Sequence, residues 1–245
     1  MQDFWRYSKF QVPRVLSSKF QSPSSVLFEF LHNCQTLFLP TMNTPSLFQQ
    51  SEGLNLSREG KLCVIQVATP KHVFVIDVCA FPADDPDLRG ALKSGLEFLQ
   101  DPTILKVMFD PRTDSDALYH QIGVTLNAVL DVQLAKIWYS KTCARPRYVH
   151  RFRLLCISSA HAKRWGHQMW AKRPLPKHMV TYAAQDVLGS FEVAGILARG
   201  LLEHPSQLEA WSAKLWRASQ TAVSVFRDAV LMAAPSKALT RLPDI

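Results

Sequence analysis

The chain has 245 residues, of which 47% are hydrophobic and 20% are charged, and its formal net charge is +8. This composition predicts one globular domain with a substantial core and excludes a disordered polyelectrolyte and, since no run of about 18 apolar residues occurs, a membrane-spanning helix. The five cysteines contain no CxxC pair, which excludes a zinc ribbon or thioredoxin motif and favours a reducing, intracellular compartment.

Residues 1–50 form an atypical N-terminal segment that is rich in Ser, Pro and Gln and contains only two acidic residues, Asp3 and Glu29. The Arg and Ser residues at its start are a weak indication of an organelle transit peptide, which would place the protein in the mitochondrion rather than the nucleus or cytoplasm. Asp3 and Pro13 argue against that interpretation. Residues 51–205 are predicted to form the main domain, and residues 206–245 a tail that begins helical and frays at Pro235.

The main domain shows strand and helix patterns in alternation after an opening hairpin. Strands are predicted at Leu62–Ala68, His72–Val78, Leu105–Phe109 and Val129–Asp131, and helices at Asp87–Leu99, Asp114–Gln121, Gln133–Tyr139, Arg151–Trp165 and Lys177–Leu202. This order predicts an α/β fold in which helices pack on a mixed β-sheet.

The positive charge is concentrated in one part of the chain. Between Asp131 and Asp186 there are eleven Lys or Arg residues and no acidic residue, whereas the rest of the chain has more acidic than basic residues. A polyanion such as nucleic acid is the natural partner of such a segment. The alternative is a solvated basic surface without a partner, and salt-dependent binding would distinguish the two.

Three acidic residues occupy positions from which carboxylates can converge. Glu52 precedes Gly53 at the start of the hairpin, Asp114 opens a helix directly after a strand, and Asp186 lies one helical turn after Tyr182. Carboxylates without a set of Cys or His ligands favour Mg²⁺ or Mn²⁺. Taken singly, each acid also has a non-functional explanation. Glu52 can be a turn residue, Asp114 a helix N-cap and Asp186 a surface acid.

Four segments, in their order along the chain, resemble the ribonuclease D-like 3′–5′ exonucleases of the DEDD superfamily, tyrosine subtype. These segments are Glu52–Leu62, Lys106–Leu118, Leu130–Ala135 and Trp170–Val187. The resemblance implies a ribonuclease H-like mixed β-sheet flanked by α-helices. It also implies hydrolysis of phosphodiester bonds at the single-stranded 3′ ends of RNA or DNA.

The resemblance further implies a role for each matching residue. Glu52, Asp114 and Asp186 match metal-binding carboxylates that hold two divalent cations, Mg²⁺ or Mn²⁺, and Tyr182 matches the tyrosine that orients the attacking water. Asp114, rather than Asp110 or Asp116, fits the second motif because Leu118 follows four residues later. Phe109 stands where the family often has His and is interpreted as a core residue.

Gln50 departs from the family pattern, because the family has Asp two residues before the glutamate of its first motif. Losing that bridging charge is expected to slow the reaction by about two orders of magnitude or more. Two explanations remain open. Either the chain is an inactive module that binds nucleic acid without cleaving it, or residues 1–50 come from a mis-joined exon.

The basic segment supplies the candidate contacts to the nucleic-acid backbone. The residues predicted to bind phosphate are Arg145, Arg147, Arg151, Arg153, Lys172 and Arg173. Alternatively, the run of arginines from Arg145 to Arg153 is the solvent-exposed start of a helix and contacts no phosphate. Trp165 and Trp170 are predicted either to stack on bases or to lie partly buried in the core.

Overall fold

The computed structural model describes residues 46–69, 72–142, 166–202 and 205–229. The strands are β1 (Ser46–Leu54), β2 (Lys61–Ala68), β3 (Val73–Asp77), β4 (Leu105–Met108) and β5 (Val129–Asp131). The α-helices are α1 (Pro86–Gly95), α2 (Arg112–Ile122), α3 (Val132–Thr142), α4 (Lys177–Leu202) and α5 (Pro205–Arg227). Short 3₁₀ turns cover Val78–Ala80, Glu97–Leu99 and His167–Ala171.

The five strands form one mixed sheet in the order β3-β2-β1-β4-β5. Strand β1 is central, because it pairs antiparallel with β2 and parallel with β4. Strands β2 and β3 form the predicted hairpin, and β5 extends the parallel half of the sheet. The predicted α/β architecture, a mixed sheet with helices packed on it, is therefore confirmed.

Most predicted elements appear near their expected bounds, and the differences have local causes. Helix α4 and strand β5 have the predicted ends, whereas α1 stops at Gly95 and a separate 3₁₀ turn completes the segment to Leu99. Helix α2 ends at Ile122 because Gly123 adopts a left-handed conformation, with φ of 77°. The basic helix expected at Arg151–Trp165 lies outside the described residues.

Strand β1 begins at Ser46, so residues 46–50 of the segment expected to be atypical belong to the central strand. Its odd and even positions pack against different layers. Phe48 joins the hydrophobic cluster that also includes residues of α3, α4 and α5, whereas Leu47 joins the cluster formed with α1 and α2. The alternation follows from the two-residue period of a strand, and it covers both faces of the sheet with helices.

Helix α5 is an integral part of the core, although the sequence offered no partner for the segment after residue 205. Trp211 is only 2% exposed, and its ring lies 4.5 Å from that of Trp138 in α3, centroid to centroid. Gln220 donates a hydrogen bond of 2.8 Å to the carbonyl of Val129 in β5. Among the described residues, no helix is both long and hydrophobic enough to cross a membrane.

We expect Trp211→Ala to lower the free energy of unfolding by about 3–5 kcal/mol, because it leaves a cavity beside Trp138. Urea denaturation followed by circular dichroism measures the change. Val225→Ala, at a 36% exposed position of the same helix, is the control and should cost less than about 1 kcal/mol. Equal losses in the two variants would show that α5 is not anchored through Trp211.

Candidate active site

The end of β1 presents Gln50 and Glu52 on one face of the sheet, since they are two residues apart in a strand. They pair with Gln66 and Val64 of β2, and the register shifts directly after Glu52. Gly53 makes this shift possible, because a Cβ there would lie 2.0 Å from the carbonyl oxygen of Lys61. Glu52 is therefore held, half-buried, where the chain departs from regular pairing.

Asp114 enters the same region from the first turn of α2 and is 3% exposed. It is not the helix N-cap, a position that Pro111 occupies. Burial raises the pKa of Asp114 to about 7, and hydrogen bonds from the hydroxyl and backbone N–H of Ser51 oppose that rise. Its Oδ1 atom is buried without a hydrogen-bond partner, so one oxygen of this carboxylate has capacity for a further ligand.

Helix α4 supplies Tyr182 and Asp186 one turn apart. Tyr182 is buried in a cluster with Trp170, whose ring centroid lies 5.8 Å away. Trp170 is itself only 1% exposed, which makes it a core residue that supports Tyr182 rather than a surface for stacking bases. Asp186 is half-buried, and Trp165 lies outside the described residues.

Electrostatics show that the three predicted carboxylates share one region. The pKa of Glu52 is raised to about 8, first by burial and then by repulsion from Asp186 and Asp114. These side chains come from β1, α4 and α2, so the tertiary fold brings them within reach of one another. The crowding of negative charge would be relieved by a cation, and oxygen ligands of this kind suit Mg²⁺ or Mn²⁺.

The described residues contain no group of three His, Cys, Asp or Glu side chains placed closely enough to hold one metal ion. Gln50 adds no negative charge to this region. Its Nε2 atom donates a 3.1 Å hydrogen bond to the carbonyl of Phe109, at the end of β4. The position for which the family resemblance implies a fourth carboxylate is thus occupied by a neutral amide that ties β1 to the loop before α2.

The two acidic residues beside Asp114 are each paired with an arginine. Asp110 forms an ion pair with Arg112. Asp116 accepts hydrogen bonds of 2.6 Å from the backbone N–H and 2.9 Å from Nε of Arg58. Asp114 has no such arginine partner within the described part of the chain, and this difference supports its selection as the candidate ligand.

Asp131 is a site residue that was not singled out as functional from the sequence. It is 1% exposed at the end of β5, and its Oδ1 accepts hydrogen bonds from the backbone N–H groups of Asp110 (3.1 Å) and Gln133 (2.8 Å). Burial raises its pKa to about 7 against the effect of these bonds. Asp131 thereby holds the loop that leads into Asp114. In the sequence, the only feature that pointed to Asp131 was its place in Leu130–Ala135, one of the segments that resemble the family.

The predicted phosphate-binding residues are only partly described. Arg145, Arg147, Arg151 and Arg153 lie outside the described residues. Lys172 is exposed. Arg173 is engaged within the fold, since its guanidinium pairs with Asp77 and donates to the carbonyls of Trp170 (2.8 Å) and Cys63 (3.2 Å). The role of all six residues in binding nucleic acid stays a prediction.

The raised pKa of Glu52 predicts a pH-dependent stability. The folded state retains a proton on Glu52 that the unfolded state releases above about pH 4.5, so stability falls as pH rises from about 4.5 to 8. Glu52→Gln should remove this loss and stabilise the chain at pH 8 by about 3 kcal/mol more than at pH 5. Urea unfolding at both pH values tests this.

Glu59→Gln is the matched control, because Glu59 is an exposed acid of the loop between β1 and β2. It should change stability equally at both pH values. A Glu52→Gln variant that behaves like this control would contradict the burial and repulsion assigned to Glu52.

Comparison with known proteins identifies the family. The 3′-5′ exonuclease family model matches residues 50–202, more than half of the chain. The piRNA biogenesis protein EXD1 of Mus musculus is 42% identical over 88 residues, which are 36% of this chain and 14% of that protein. Ribonuclease D of Nitrobacter hamburgensis is 29% identical over 130 residues, 51% of this chain and 31% of that protein.

Solved structures confirm the ribonuclease H-like fold. The structure of Trypanosoma brucei RNase D in complex with RNA U12 has a TM-score of 0.52, is 20% identical, and covers 89% of this chain and 78% of that chain. The matched segments span well under two thirds of EXD1 and of the Nitrobacter ribonuclease D. The family match over residues 50–202, together with these relatives, shows that the chain belongs to the 3′-5′ exonuclease family.

Proposed function

We propose that the chain is a 3′–5′ exonuclease that hydrolyses phosphodiester bonds at nucleic-acid 3′ ends, and that Gln50 makes it a slow one. The observation that carries this proposal is the convergence of Glu52, Asp114 and Asp186 from three separate elements, close enough for the charges of Asp186 and Asp114 to act on the half-buried Glu52. A protein keeps such repulsion in a partly buried site at a cost in stability. Strongly shifted pKa values such as that of Glu52 cluster at functional sites, including sites that bind cations.

Glu52, Asp114 and Asp186 are the residues that would hold divalent cations, Mg²⁺ or Mn²⁺. When bound, such cations polarise the phosphate and lower the pKa of an attacking water. The orphaned Oδ1 of Asp114 and the all-oxygen composition of the site fit this role.

Tyr182 is proposed to orient the attacking water. It lies one turn before Asp186 on the same helix, and the packing of its ring against Trp170 restricts its position. The hydroxyl is then held while the ring remains in the core. Precise placement of a water relative to the scissile bond is worth orders of magnitude in rate.

The substrate class rests on charge and on the relatives. The segment between Asp131 and Asp186 has eleven Lys or Arg residues and no acidic residue, a composition suited to binding a polyanion, and it leads into the third motif. The Trypanosoma brucei RNase D structure contains RNA U12, which supports RNA as the first substrate to test. Single-stranded DNA is the comparison substrate.

Gln50→Asp should raise the rate of 3′-end cleavage about a hundredfold, because it restores a full negative charge beside Glu52. The measurement is the shortening of a 5′-labelled single-stranded RNA, and of the matching DNA, in Mn²⁺ or Mg²⁺. Asp186→Asn in the Gln50→Asp background should abolish the gain. Products should appear as a ladder from the 3′ end.

Gln185→Asp is the matched control, since it makes the same substitution at an exposed position next to Asp186. It should leave the rate unchanged. A rate gain in this control as large as that of Gln50→Asp would mean that added charge alone, rather than its position, drives the effect.

The second candidate function is an inactive nucleic-acid-binding module on the same fold. The hydrogen bond from Gln50 to the Phe109 carbonyl favours it, because the amide is integrated into the structure instead of facing a cation. If neither the wild-type chain nor the Gln50→Asp variant cleaves RNA while both still bind it, the binding module is selected over the enzyme.

Replacing Arg145, Arg147, Arg151 and Arg153 together with Ala should weaken binding to single-stranded RNA. The dependence of log K on log salt should become shallower by about 0.7 for each phosphate that the variant no longer neutralises. Fluorescence anisotropy across a salt series measures both quantities. Unchanged affinity and slope would show that the arginine run is a solvated surface.

A further inference from the structure

Two thiols lie together beside the cluster that supports Tyr182. Cys63 is in β2 and has no exposed surface, whereas Cys79 is half-buried in the 3₁₀ turn that follows β3. The pairing of Val64 with Asp77 brings these two segments side by side. Cys79 packs against the cluster that contains Cys63, and the two thiols share a side-chain hydrogen bond.

The surroundings of the pair assign a different part to each thiol. Cys79 can be reached from solvent and Cys63 cannot, so Cys79 meets a soluble oxidant first. The guanidinium of Arg173 lies close enough to both sulfurs for their charges to interact. Burial raises the pKa of the Cys63 thiol to about 11, with a further contribution from Cys79, so Cys63 stays protonated and Cys79 is the thiol that reacts first.

We propose that Cys63 and Cys79 form a peroxide-sensitive dithiol, and that its oxidation to a disulfide shifts the 3₁₀ turn His167–Ala171, which packs Trp170 against Tyr182. The Cys79 sulfur attacks hydrogen peroxide, the O–O bond breaks, and a sulfenic acid and one water form. The Cys63 sulfur then attacks the sulfenic sulfur, the S–O bond breaks, and the leaving hydroxide takes the Cys63 proton as a second water. Two thiols are oxidised and one peroxide is reduced.

A continuous set of contacts links the dithiol to the candidate active site. The carboxylate of Asp77 accepts a 3.0 Å hydrogen bond from the backbone N–H of Cys79 and pairs with Arg173. Arg173 also donates to the carbonyl of Trp170, and Trp170 packs against Tyr182. A disulfide places its sulfurs about 2.05 Å apart, which is closer than hydrogen-bonded thiols, so the turn after β3 must move.

The experiment uses the full chain with Cys34, Cys143 and Cys156 replaced by Ser, which leaves Cys63 and Cys79 as its only thiols. The chain is treated with hydrogen peroxide, unreacted thiols are alkylated, and the protein is digested for mass spectrometry. We expect a cross-linked peptide that contains both cysteines, has lost two hydrogen atoms, and separates on addition of dithiothreitol. The wild-type chain should give the same cross-link.

Hydrogen exchange of the peptide covering residues 167–183 tests the structural coupling. Its exchange should change on oxidation and return on reduction. Cys79→Ser is the control, since it removes the reactive thiol with little change in volume and should make exchange insensitive to peroxide. Circular dichroism confirms that this variant is folded, and Cys63→Ala provides a second variant without the pair.

Several results would overturn the proposal. Oxidation of Cys79 to sulfinic acid while Cys63 stays reduced would show that the thiols cannot combine. A cross-link between two chains would do the same. A Cys63–Cys79 disulfide without any change in exchange over residues 167–183 would refute the link to Tyr182. None of these readouts requires nuclease activity, so they are independent of the proposed function.

Discussion

The burial of Glu52 at the end of β1, beside two further carboxylates, is the constraint around which the rest of the candidate site is built. Glu52 lies half-buried near Asp114 and Asp186, and its pKa is raised to about 8 because burial and both neighbours disfavour its charge. Such an arrangement persists only where the surrounding structure holds each side chain in place. The hydrogen bonds from Ser51 to Asp114 and the shift in register at Gly53 provide part of that support.

The neighbouring acids show how the fold separates structural from functional charge. Asp116 is neutralised by Arg58, which also donates hydrogen bonds to the carbonyls of Phe226, Arg227 and Ala229 at the end of α5. The loop after β1, the helix that carries Asp114 and the C-terminal helix are therefore joined through one arginine. Structural acids with an arginine partner contribute to cohesion, whereas an unpaired buried acid raises the free energy of the folded state.

Gln50 changes the balance of this site without disturbing the sheet. An amide at this position can donate to the Phe109 carbonyl, which a carboxylate cannot do, and it adds no charge to an already repulsive cluster. With glutamine there, the fold keeps this hydrogen bond and avoids one further negative charge, and under the proposed function the same change weakens the cation site. Cys63 and Cys79 pack in the cluster that contains Tyr182, so the proposed dithiol would act on the support of the site rather than on its charge.

Local pattern in the sequence determined the alternation of strands and helices, the β2–β3 hairpin and the bounds of α4. Side-chain periodicity and the ends of elements are encoded over a few residues. The resemblance of the ordered motifs to the ribonuclease D-like exonucleases selected Glu52, Asp114, Tyr182 and Asp186. The phosphate-contact residues and the metal ligands remain predictions. The transit-peptide alternative also stays a prediction.

Only the tertiary structure decided which charges are paired, which aromatic side chains are buried and which thiols meet. Asp131 anchors the loop before Asp114 from a different strand, and Trp211 completes the core from a helix that the sequence pattern left without a partner. These contacts join residues far apart in the chain. Their energies depend on burial and distance, which no local pattern specifies.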